Sequence, residues 1–304
     1  MTERAPARGR RLSIEWPTAG LIVACYAGWI AALFWLAPVS LALAIPLTAV
    51  LIALHASLIH EVLHGHPFGI KWLNELTMRL PLNLVIPYCR FRDQHLDHHR
   101  DANLTDPYDD PETNFIDPEV WPRLPGWFRL LLRFNNTLAG RLLIGPALGN
   151  WVFLRGEARL LAAGDRRVVA AWILHLIGVV LVLWIVAVSP MPVWAYLVAA
   201  YCGFSLLKIR TFLEHRAHEK ARGRTVVIED RGPLAFLFLN NNFHVVHHMN
   251  PGVAWYRLPA LYRAGKERYL SYNEGYVYRS YGEVFGKYLL RPKDPVPHPL
   301  WRRR

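Results

Sequence analysis

The sequence predicts an all-α integral membrane protein, with four transmembrane helices in two hairpins and a cytoplasmic helical cap that carries a metal site. Two observations predict the membrane fold: four long apolar runs lack charged residues, and every Lys and Arg can lie on one side of them. A third predicts the metal site, because histidines recur three or four residues apart in three places. We expect the whole chain, 1–304, to form one domain.

The four apolar runs are each close to the length that spans a bilayer. A chain with 53% hydrophobic residues and 12 Trp could be a large soluble domain, but uncharged runs of about 20 residues indicate membrane spans. Short breaks with Pro, at 38–40 and 189–192, divide the runs into pairs and predict two tight helical hairpins. The predicted spans are about 19–37, 40–60, 168–188 and 191–212.

The charge distribution predicts the orientation of the spans. If the two short breaks face outward, all 35 Lys and Arg and all 23 Asp and Glu lie on the other side. Because cations that flank spans are retained in the cytoplasm, we expect both termini and the site there, in a multi-pass protein of the inner or plasma membrane. The net charge of +12 then indicates attraction to anionic headgroups. Nucleic acid could also bind a basic surface, but no nucleic-acid motif accompanies the charge.

Cysteine chemistry and a cleaved leader are both disfavoured. Cys25 and Cys202 lie in predicted spans and Cys89 in the inner loop, so we expect neither a disulfide framework nor a cysteine metal site. The Arg-rich N-terminal segment leads into an apolar run without a small-residue cleavage site at the usual distance. This pattern predicts a retained first helix.

The histidine clusters share a spacing that brings imidazoles to the same face of a helix, with Cβ atoms about 5–6 Å apart. With 14 His in 304 residues, chance predicts about 0.03 windows of the pattern His-x-x-His-His, yet two are present. Neutral imidazole binds first-row metals, and a single zinc needs only three or four ligands, so these histidines are enough for two ions. The first cluster is His60 and His64, the second is His95, His98 and His99, and the third is His244, His247 and His248.

The other histidines are interpreted from their places relative to the spans. His215 lies beyond the end of the fourth span, as His60 and His64 lie at the end of the second, so it is a ninth candidate ligand; the alternative is a solvated helix end. A ligand role for His66 and a functional role for His175 stay open. The histidines that we expect to be polar core or surface residues are His55, His66, His175, His218 and His298.

The segments between and after the spans predict an interfacial and cytoplasmic cap. Residues 71–88 fit a short helix at the membrane interface, and 121–154 fit an interfacial amphipathic helix. We expect the arginines of the latter segment at lipid phosphates: Arg123, Arg129, Arg133 and Arg141. The tail, 249–304, contains no recognisable motif and is expected to cover the site.

An acidic, Pro-punctuated segment follows the second cluster. Its carboxylates could bind a metal, but we prefer a surface loop, because turn residues and acidic side chains are typical of one. The acidic candidates are Asp106, Asp109, Asp110 and Glu112.

The order of the clusters resembles a known family. The series His-x-x-x-His, His-x-x-His-His and His-x-x-His-His, set among two membrane hairpins, is similar to the integral-membrane fatty acid desaturase superfamily, which includes alkane, fatty-acyl and carotenoid hydroxylases. Glu214-His215 resembles the lone histidine that precedes the third cluster in this superfamily. The resemblance covers about residues 20–250. It implies a non-haem di-iron site in which two iron ions are bound by His60, His64, His95, His98, His99, His215, His244, His247 and His248, with no catalytic residue beyond these ligands.

The resemblance also implies O2-dependent oxidation of an unactivated C–H bond in a lipid or fatty acyl chain. Removal of two hydrogens gives desaturation, which we prefer; hydroxylation of an acyl chain or lipid headgroup is the alternative. Histidine spacing does not distinguish them, because both reactions begin with the same hydrogen abstraction. The first cluster is shorter than that of acyl-CoA desaturases, so a lipid-bound or free acyl chain is at least as compatible as acyl-CoA. We expect the chain to enter a tunnel between the hairpins, where substitutions at small residues such as Ala199 and Gly203 would shorten the accepted chain if these residues face the tunnel.

Electrons are expected from a separate protein. The sequence has no cysteine cluster for an iron–sulfur centre and no Gly-rich dinucleotide motif, and its His-Pro pairs lack the glycines of a fused cytochrome b5. A ferredoxin or cytochrome b5-like donor is therefore implied, docking on the basic inner face. A non-enzymatic metal transporter is disfavoured, because the candidate ligands gather on one side instead of lining a path through the bilayer.

Overall fold

Four helices are long and apolar enough to cross a membrane, as the sequence predicts. The computed structural model describes residues 14–100 and 104–302. Within these ranges the four candidate spans are Trp16–Leu36, Leu41–Leu63, Arg166–Val188 and Val193–Thr211. Their ends lie within three residues of the predicted ones: the first three spans extend at one end into polar flanks, and the fourth is shorter at both ends. The expected retention of the first helix depends on the N-terminal segment, which lies outside the described residues.

Over the described residues the protein is predominantly helical, with one parallel pair of two-residue strands. A π-helical turn, Ala32–Leu36, continues the first helix, and 3-10 turns occur at Trp121–Arg123, Ala221–Arg224 and Trp255–Arg257. The helices are α1 (Trp16–Ala31), α2 (Leu41–Leu63), α3 (Lys71–Thr77), α4 (Tyr88–Arg100), α5 (Gly126–Asn135), α6 (Leu138–Leu143), α7 (Gly145–Ala162), α8 (Arg166–Val188), α9 (Val193–Thr211), α10 (Pro233–Leu237), α11 (His244–Met249), α12 (Leu258–Ala264), α13 (Lys266–Tyr272) and α14 (Tyr281–Tyr288); the strands are β1 (Val227–Ile228) and β2 (Val277–Tyr278).

The centre of the membrane bundle is α2, which packs along α9 and α1. The approach of α2 to α9 is close at Gly203, where an added Cβ would lie 2.8 Å from Ile52 Cγ2 and 3.1 Å from Ala49 O. Ala199, one turn earlier, is fully buried. Gly203 therefore faces the α2–α9 contact, because only a residue without a side chain allows these backbones to approach so closely. The condition that it face a tunnel is not met.

The third span presents a broad apolar face to its surroundings. Ile177, Val180 and Trp184 of α8 are 63%, 67% and 60% exposed, and α1 exposes Val23 to a similar degree. An apolar surface of this extent would be unstable in water and is typical of a face that contacts lipid. The exposed side chains thus support the membrane assignment that the uncharged runs predict.

The segment 121–154 forms several helices, α5, α6 and part of α7, instead of one interfacial helix. Its arginines also differ from the prediction at one position. Arg141 is 4% exposed and donates to Asn135 O at 3.0 Å and to Asn114 Oδ1. It therefore does not lie at lipid phosphates, because its guanidinium is used to bind two loops inside the protein.

The C-terminal elements pack at the end of the bundle opposite the two hairpin turns. Trp255 N donates to Glu61 Oε1 at 3.0 Å, which joins the segment after α11 to the last turn of α2. Tyr276 donates its hydroxyl to Leu213 O at 2.8 Å, just beyond α9. The strands β1 and β2 pair in parallel, with Val227 opposite Val277. The ends of α2 and α9 are thereby enclosed by chain from the tail.

Candidate metal centre

The nine histidines that the sequence singles out come together in two groups at this end of the bundle. Within each group, one nitrogen from every ring lies within 4.8 Å of all the others. The five-histidine group is His60, His64, His95, His99 and His247, and the four-histidine group is His98, His215, His244 and His248.

Helical periodicity explains how the side chains reach the two groups. His60 and His64 lie one turn apart at the end of α2, with ring centroids 5.2 Å apart. In α4, His95 and His99 share a face, while His98 lies on the neighbouring face. In α4 the first and third histidines belong to the five-histidine group and the second to the four-histidine group. In α11 the assignment is reversed: the first and third belong to the four-histidine group and the second to the five-histidine group.

The second and third clusters therefore each supply both groups. His99 and His247 have Nε2 atoms 3.1 Å apart, although they belong to α4 and α11. His98 and His215 have Nε2 atoms 3.0 Å apart. The stacked rings of His99 and His248, with centroids 4.3 Å apart, place the two groups side by side.

The nitrogen separations fit a shared metal ion. A first-row metal binds imidazole nitrogen at about 2.1 Å, so two ligands at right angles place their nitrogens about 3.0 Å apart. The Nε2 atoms of His95 and His99 are 3.0 Å apart, and those of His244 and His248 are also 3.0 Å apart. Within the described ranges, the buried Nε2 atoms of His60 and His64 have no hydrogen-bond partner. Both observations fit a metal ion in each group.

Oxygen atoms that accept hydrogen bonds from three of the rings determine which ring nitrogen is available to bind a metal. His95 Nδ1 donates to Glu112 Oε1 at 2.8 Å, and His98 Nδ1 donates to Asp110 Oδ1 at 2.9 Å. His244 Nδ1 donates to Asn241 Oδ1 at 3.3 Å. A neutral ring that donates from Nδ1 has its lone pair on Nε2, which faces the interior of each group. Carboxylate and amide oxygens paired in this way with histidines are typical of the partners that orient metal-binding imidazoles.

The acidic loop, residues 104–117, is thus not the solvated surface loop that we expected. Asp109 is exposed, but Asp110 is 4% exposed and Glu112 is half-buried. The local sequence indicates turns and acidic side chains. It does not indicate that the loop folds back so that two of these side chains accept hydrogen bonds from histidines of the preceding helix, α4. Thr105 begins the fold-back with a left-handed φ of 73°, which a β-branched residue rarely adopts.

Three further residues near the histidines were not singled out as partners. Asn241 donates to Glu214 Oε1 at 3.0 Å while its own Oδ1 accepts from His244, so it connects the carboxylate beside His215 to the third cluster. Arg210 Nε lies 3.1 Å from the same oxygen of Glu214. For Asn241, the available sequence signal was the run of three asparagines shortly before His244, because asparagine side chains commonly stabilise turns by hydrogen bonds to the backbone.

Burial keeps most of these imidazoles neutral, as metal binding requires. Burial, reinforced by neighbouring histidines, lowers the pKa of His64 to about 2 and that of His99 to about 3. Burial alone would lower the pKa of His98, but Glu112 and Asp110 raise it to about 9. Burial alone would raise the pKa of Glu112, but the neighbouring imidazoles hold it well below its usual value. Burial lowers the pKa well below its usual value at His215, His244, His247 and His248.

The remaining histidines lie outside both groups. His66 donates from Nδ1 to Glu15 Oε2 at 2.7 Å and its Nε2 lies 3.7 Å from Glu61, in a separate cluster. The ring nitrogens of the others contact Tyr26 (His55), Leu84 O (His175), Lys220 (His218) and Thr105 (His298).

A cavity of about 330 Å³ touches His64 at the end of α2. A neighbouring cavity of about 770 Å³ shares part of its lining and opens beside Trp72, which is 66% exposed. The shared charged residues are Lys71, Glu75 and Arg92, and the apolar walls near His64 include Leu63, Phe68, Tyr88 and Leu96. The two cavities therefore adjoin, with mixed polar and apolar walls, between the exposed face of α3 and His64 of the five-histidine group.

A protein-family model matches most of the chain. The family model described as fatty acid desaturase matches residues 35–280, a range that contains all nine histidines and the second, third and fourth spans. No curated protein matches the chain at a significant level. The family match covers well over half of the chain and coincides with the metal-binding geometry described above. The chain belongs to the fatty acid desaturase family.

Proposed function

We propose that the nine histidines bind two iron ions and that the protein uses O2 to oxidise an unactivated C–H bond in a lipid acyl chain, with desaturation as the preferred reaction. The observation that carries the proposal is the pair of histidine groups, five and four rings, at the ends of two spanning helices. Membership of the fatty acid desaturase family supports the same class of oxidation.

Bound iron would supply the oxidant that an unactivated C–H bond requires. The chain itself would hold the ions and keep the site dry. Asp110 and Glu112 would keep the Nδ1 protons of His98 and His95 in place, so that each Nε2 stays available to the metal. The buried rings would exclude water from the reacting carbon. All-imidazole ligation also places no oxidisable thiolate beside the ions.

A membrane lipid or fatty acyl substrate fits the surroundings of the centre. The apolar residues that line the cavity beside His64 can contact an alkyl chain, and exposed Trp72 and Leu76 of α3 would lie among lipids. We therefore propose access along α3 and α4, at the membrane interface, instead of between the hairpins at Gly203.

Hydroxylation near the polar end of the substrate is the second candidate. The cavity that touches His64 also reaches Lys71, Glu75 and Arg92, so a polar group could lie close to the five-histidine group. A carbon near that polar end would then be nearest to the metal. This proximity favours oxidation near the polar end over oxidation at a distant methylene, as hydroxylation of a lipid headgroup or of the adjoining acyl carbons would require.

We place the centre and both termini in the cytoplasm, in a multi-pass protein of the inner or plasma membrane. The proposal is supported by the 35 Lys and Arg, which exceed the 23 Asp and Glu and lie on the side of the histidines in the four-span arrangement. A separate electron donor, a ferredoxin or a cytochrome b5-like protein, would dock on this basic face. An acidic donor surface would be complementary to it.

The test is lipid analysis with the purified, iron-loaded protein in lipid bilayers, supplied with O2 and a competent electron donor. Mass spectrometry of the lipids separates the candidates: a loss of two hydrogens indicates desaturation, and a gain of one oxygen indicates hydroxylation. A protein that binds a single zinc and no iron, or that leaves every acyl lipid unchanged, would contradict the proposed function.

A further inference from the structure

The C-terminal segment 293–301, called the C-terminal strap below, lies along the acidic loop. Ile116 N donates to Val296 O at 3.0 Å, and His298 N donates to Ile116 O at 2.9 Å. Ile116 and Pro297 also form a parallel bridge. Main-chain hydrogen bonds therefore hold together two segments that are far apart in the sequence.

Two side chains of the strap also reach the acidic loop. Leu300 N donates to His298 Nδ1 at 3.1 Å, which leaves the proton of a neutral ring on Nε2, and this nitrogen donates to Thr105 Oγ1 at 3.0 Å. Trp301 Nε1 donates to Asp106 Oδ2 at 2.8 Å. His298 is only 4% exposed, so loss of its ring would leave a buried polar contact unmade.

Thr105 connects the strap to the metal centre. Its backbone N donates to Asp110 Oδ2 at 2.7 Å, and the other oxygen of Asp110 accepts from His98 Nδ1 at 2.9 Å. Glu112 N donates to Asp110 Oδ1 at 2.9 Å, which ties the second carboxylate to the first. A continuous set of hydrogen bonds thus runs from His298, through Thr105 and Asp110, to His98.

The strap contacts the four-histidine group a second time. Lys293 Nζ donates to the backbone carbonyl of His215, and Lys293 N donates to Asn136 O at 3.0 Å. His215 and His98 belong to the same group. The strap therefore holds the backbone of one candidate ligand and the carboxylate partner of another.

We propose that the C-terminal strap positions the metal centre and that His298 and Trp301 are its positioning residues. They hold the acidic loop in place, so that Asp110 and Glu112 stay at the Nδ1 atoms behind the ligands. The strap lies beyond residue 280, where the family match ends. The proposal rests on the proposed function, because it requires the histidine groups to bind metal.

The experiment compares full-length wild type with four single variants, each loaded with Fe²⁺. His298→Ala removes the contact with Thr105, and His298→Gln can restore it through its amide N–H. Trp301→Phe removes the hydrogen bond to Asp106 but keeps an aromatic ring beside Tyr108. Leu300→Ala, at a 46% exposed side chain within the strap, is the matched control. The readouts are Fe²⁺ affinity in competition with a chelator, the Mössbauer spectrum of the loaded protein, and the temperature of unfolding.

We expect His298→Ala to weaken Fe²⁺ binding by about tenfold or more, as loss of a partner behind a metal-binding histidine typically does, and to change the spectrum. Trp301→Phe should weaken binding less, His298→Gln should recover most of it, and Leu300→Ala should match wild type. If His298→Ala only lowers the unfolding temperature, with wild-type affinity and spectrum, the strap has no positioning role and the proposal is overturned. Wild type that binds no iron would instead overturn the proposed function, and the strap proposal with it.

Discussion

His98 Nδ1 lies 2.9 Å from Asp110 Oδ1, and both residues are almost completely buried. This pair joins a candidate ligand on α4 to the loop that follows the helix. A buried charged hydrogen bond of this kind fixes the orientation of the ring and the position of its proton. Asp110 therefore belongs to the candidate metal centre, although it is not itself in either histidine group.

Asp110→Ala should weaken iron binding by about 10- to 100-fold, because His98 loses the acceptor that orients it. The measurement is Fe²⁺ affinity by chelator competition, with the iron content of the purified variant. Asp109→Ala is the matched control, since its side chain is exposed and one residue away. Equal weakening in both variants would mean that the loss of negative charge, and not the contact with His98, determines the affinity.

Adjacent histidines of α11 should affect different metal ions. His247→Ala removes a ligand from the five-histidine group, and His248→Ala removes one from the four-histidine group. We expect each variant to abolish turnover and to weaken one of two binding steps in a metal titration, with different Mössbauer components lost. His218→Ala, outside both groups, should bind as wild type. Identical titrations and spectra for the two α11 variants would contradict the division into groups.

Gly203→Ala should destabilise the helical bundle, because the new Cβ would lie 2.8 Å from Ile52 Cγ2 and 3.1 Å from Ala49 O. Overpacking of this kind typically costs about 1–3 kcal/mol, and it should appear as a lower unfolding temperature in detergent. Gly156→Ala in α7 is the control, since nothing lies within 4 Å of its added Cβ. If the Gly203→Ala variant were as stable as wild type but accepted acyl chains of a different length, Gly203 would line a substrate tunnel and the packing interpretation would be wrong.

The four-span arrangement makes a prediction about sidedness. A cysteine at Val39, which is 78% exposed in the first hairpin turn, should react with an impermeant reagent from outside the cell. A cysteine at Asp109 should react only after permeabilisation, and a reporter fused at Arg304 should be cytoplasmic. Because Val39 and Asp109 are exposed, the reaction of each introduced cysteine with the reagent reports its side of the membrane, and the reporter does the same for the C-terminus. Labelling of the cysteine at Asp109 from outside would contradict the orientation.

The nine histidines could be predicted because their spacing is a local property of helices. A separation of three or four residues places side chains on one face whatever the rest of the fold does, and uncharged runs similarly determine where spans lie. The division into groups could not be predicted in this way. His98 and His247 belong to a different group from the other two histidines of their own clusters. This division depends on how α4 and α11 are oriented relative to each other, which is a tertiary property.

Long-range contacts account for the other differences. Arg141 and the acids of the 104–117 loop have the local sequence of interfacial and surface residues, yet tertiary contacts bury Arg141 and Asp110. Gly203 is similar, since its role depends on Ile52 in another helix. In each case the residue that buries the side chain is distant in sequence or follows a turn. Periodicity and composition, which describe only local sequence, therefore do not predict the contact.

The exchange of histidines between α4 and α11 has a consequence for biosynthesis. The third cluster follows the last span, so the ribosome completes all four membrane helices before either histidine group has its full set of rings. A nascent chain that ends before α11 has four of the five rings in one group and only two of four in the other. Full sets of rings for two ions would then become available together, only once α11 has been made and after all four spans are complete.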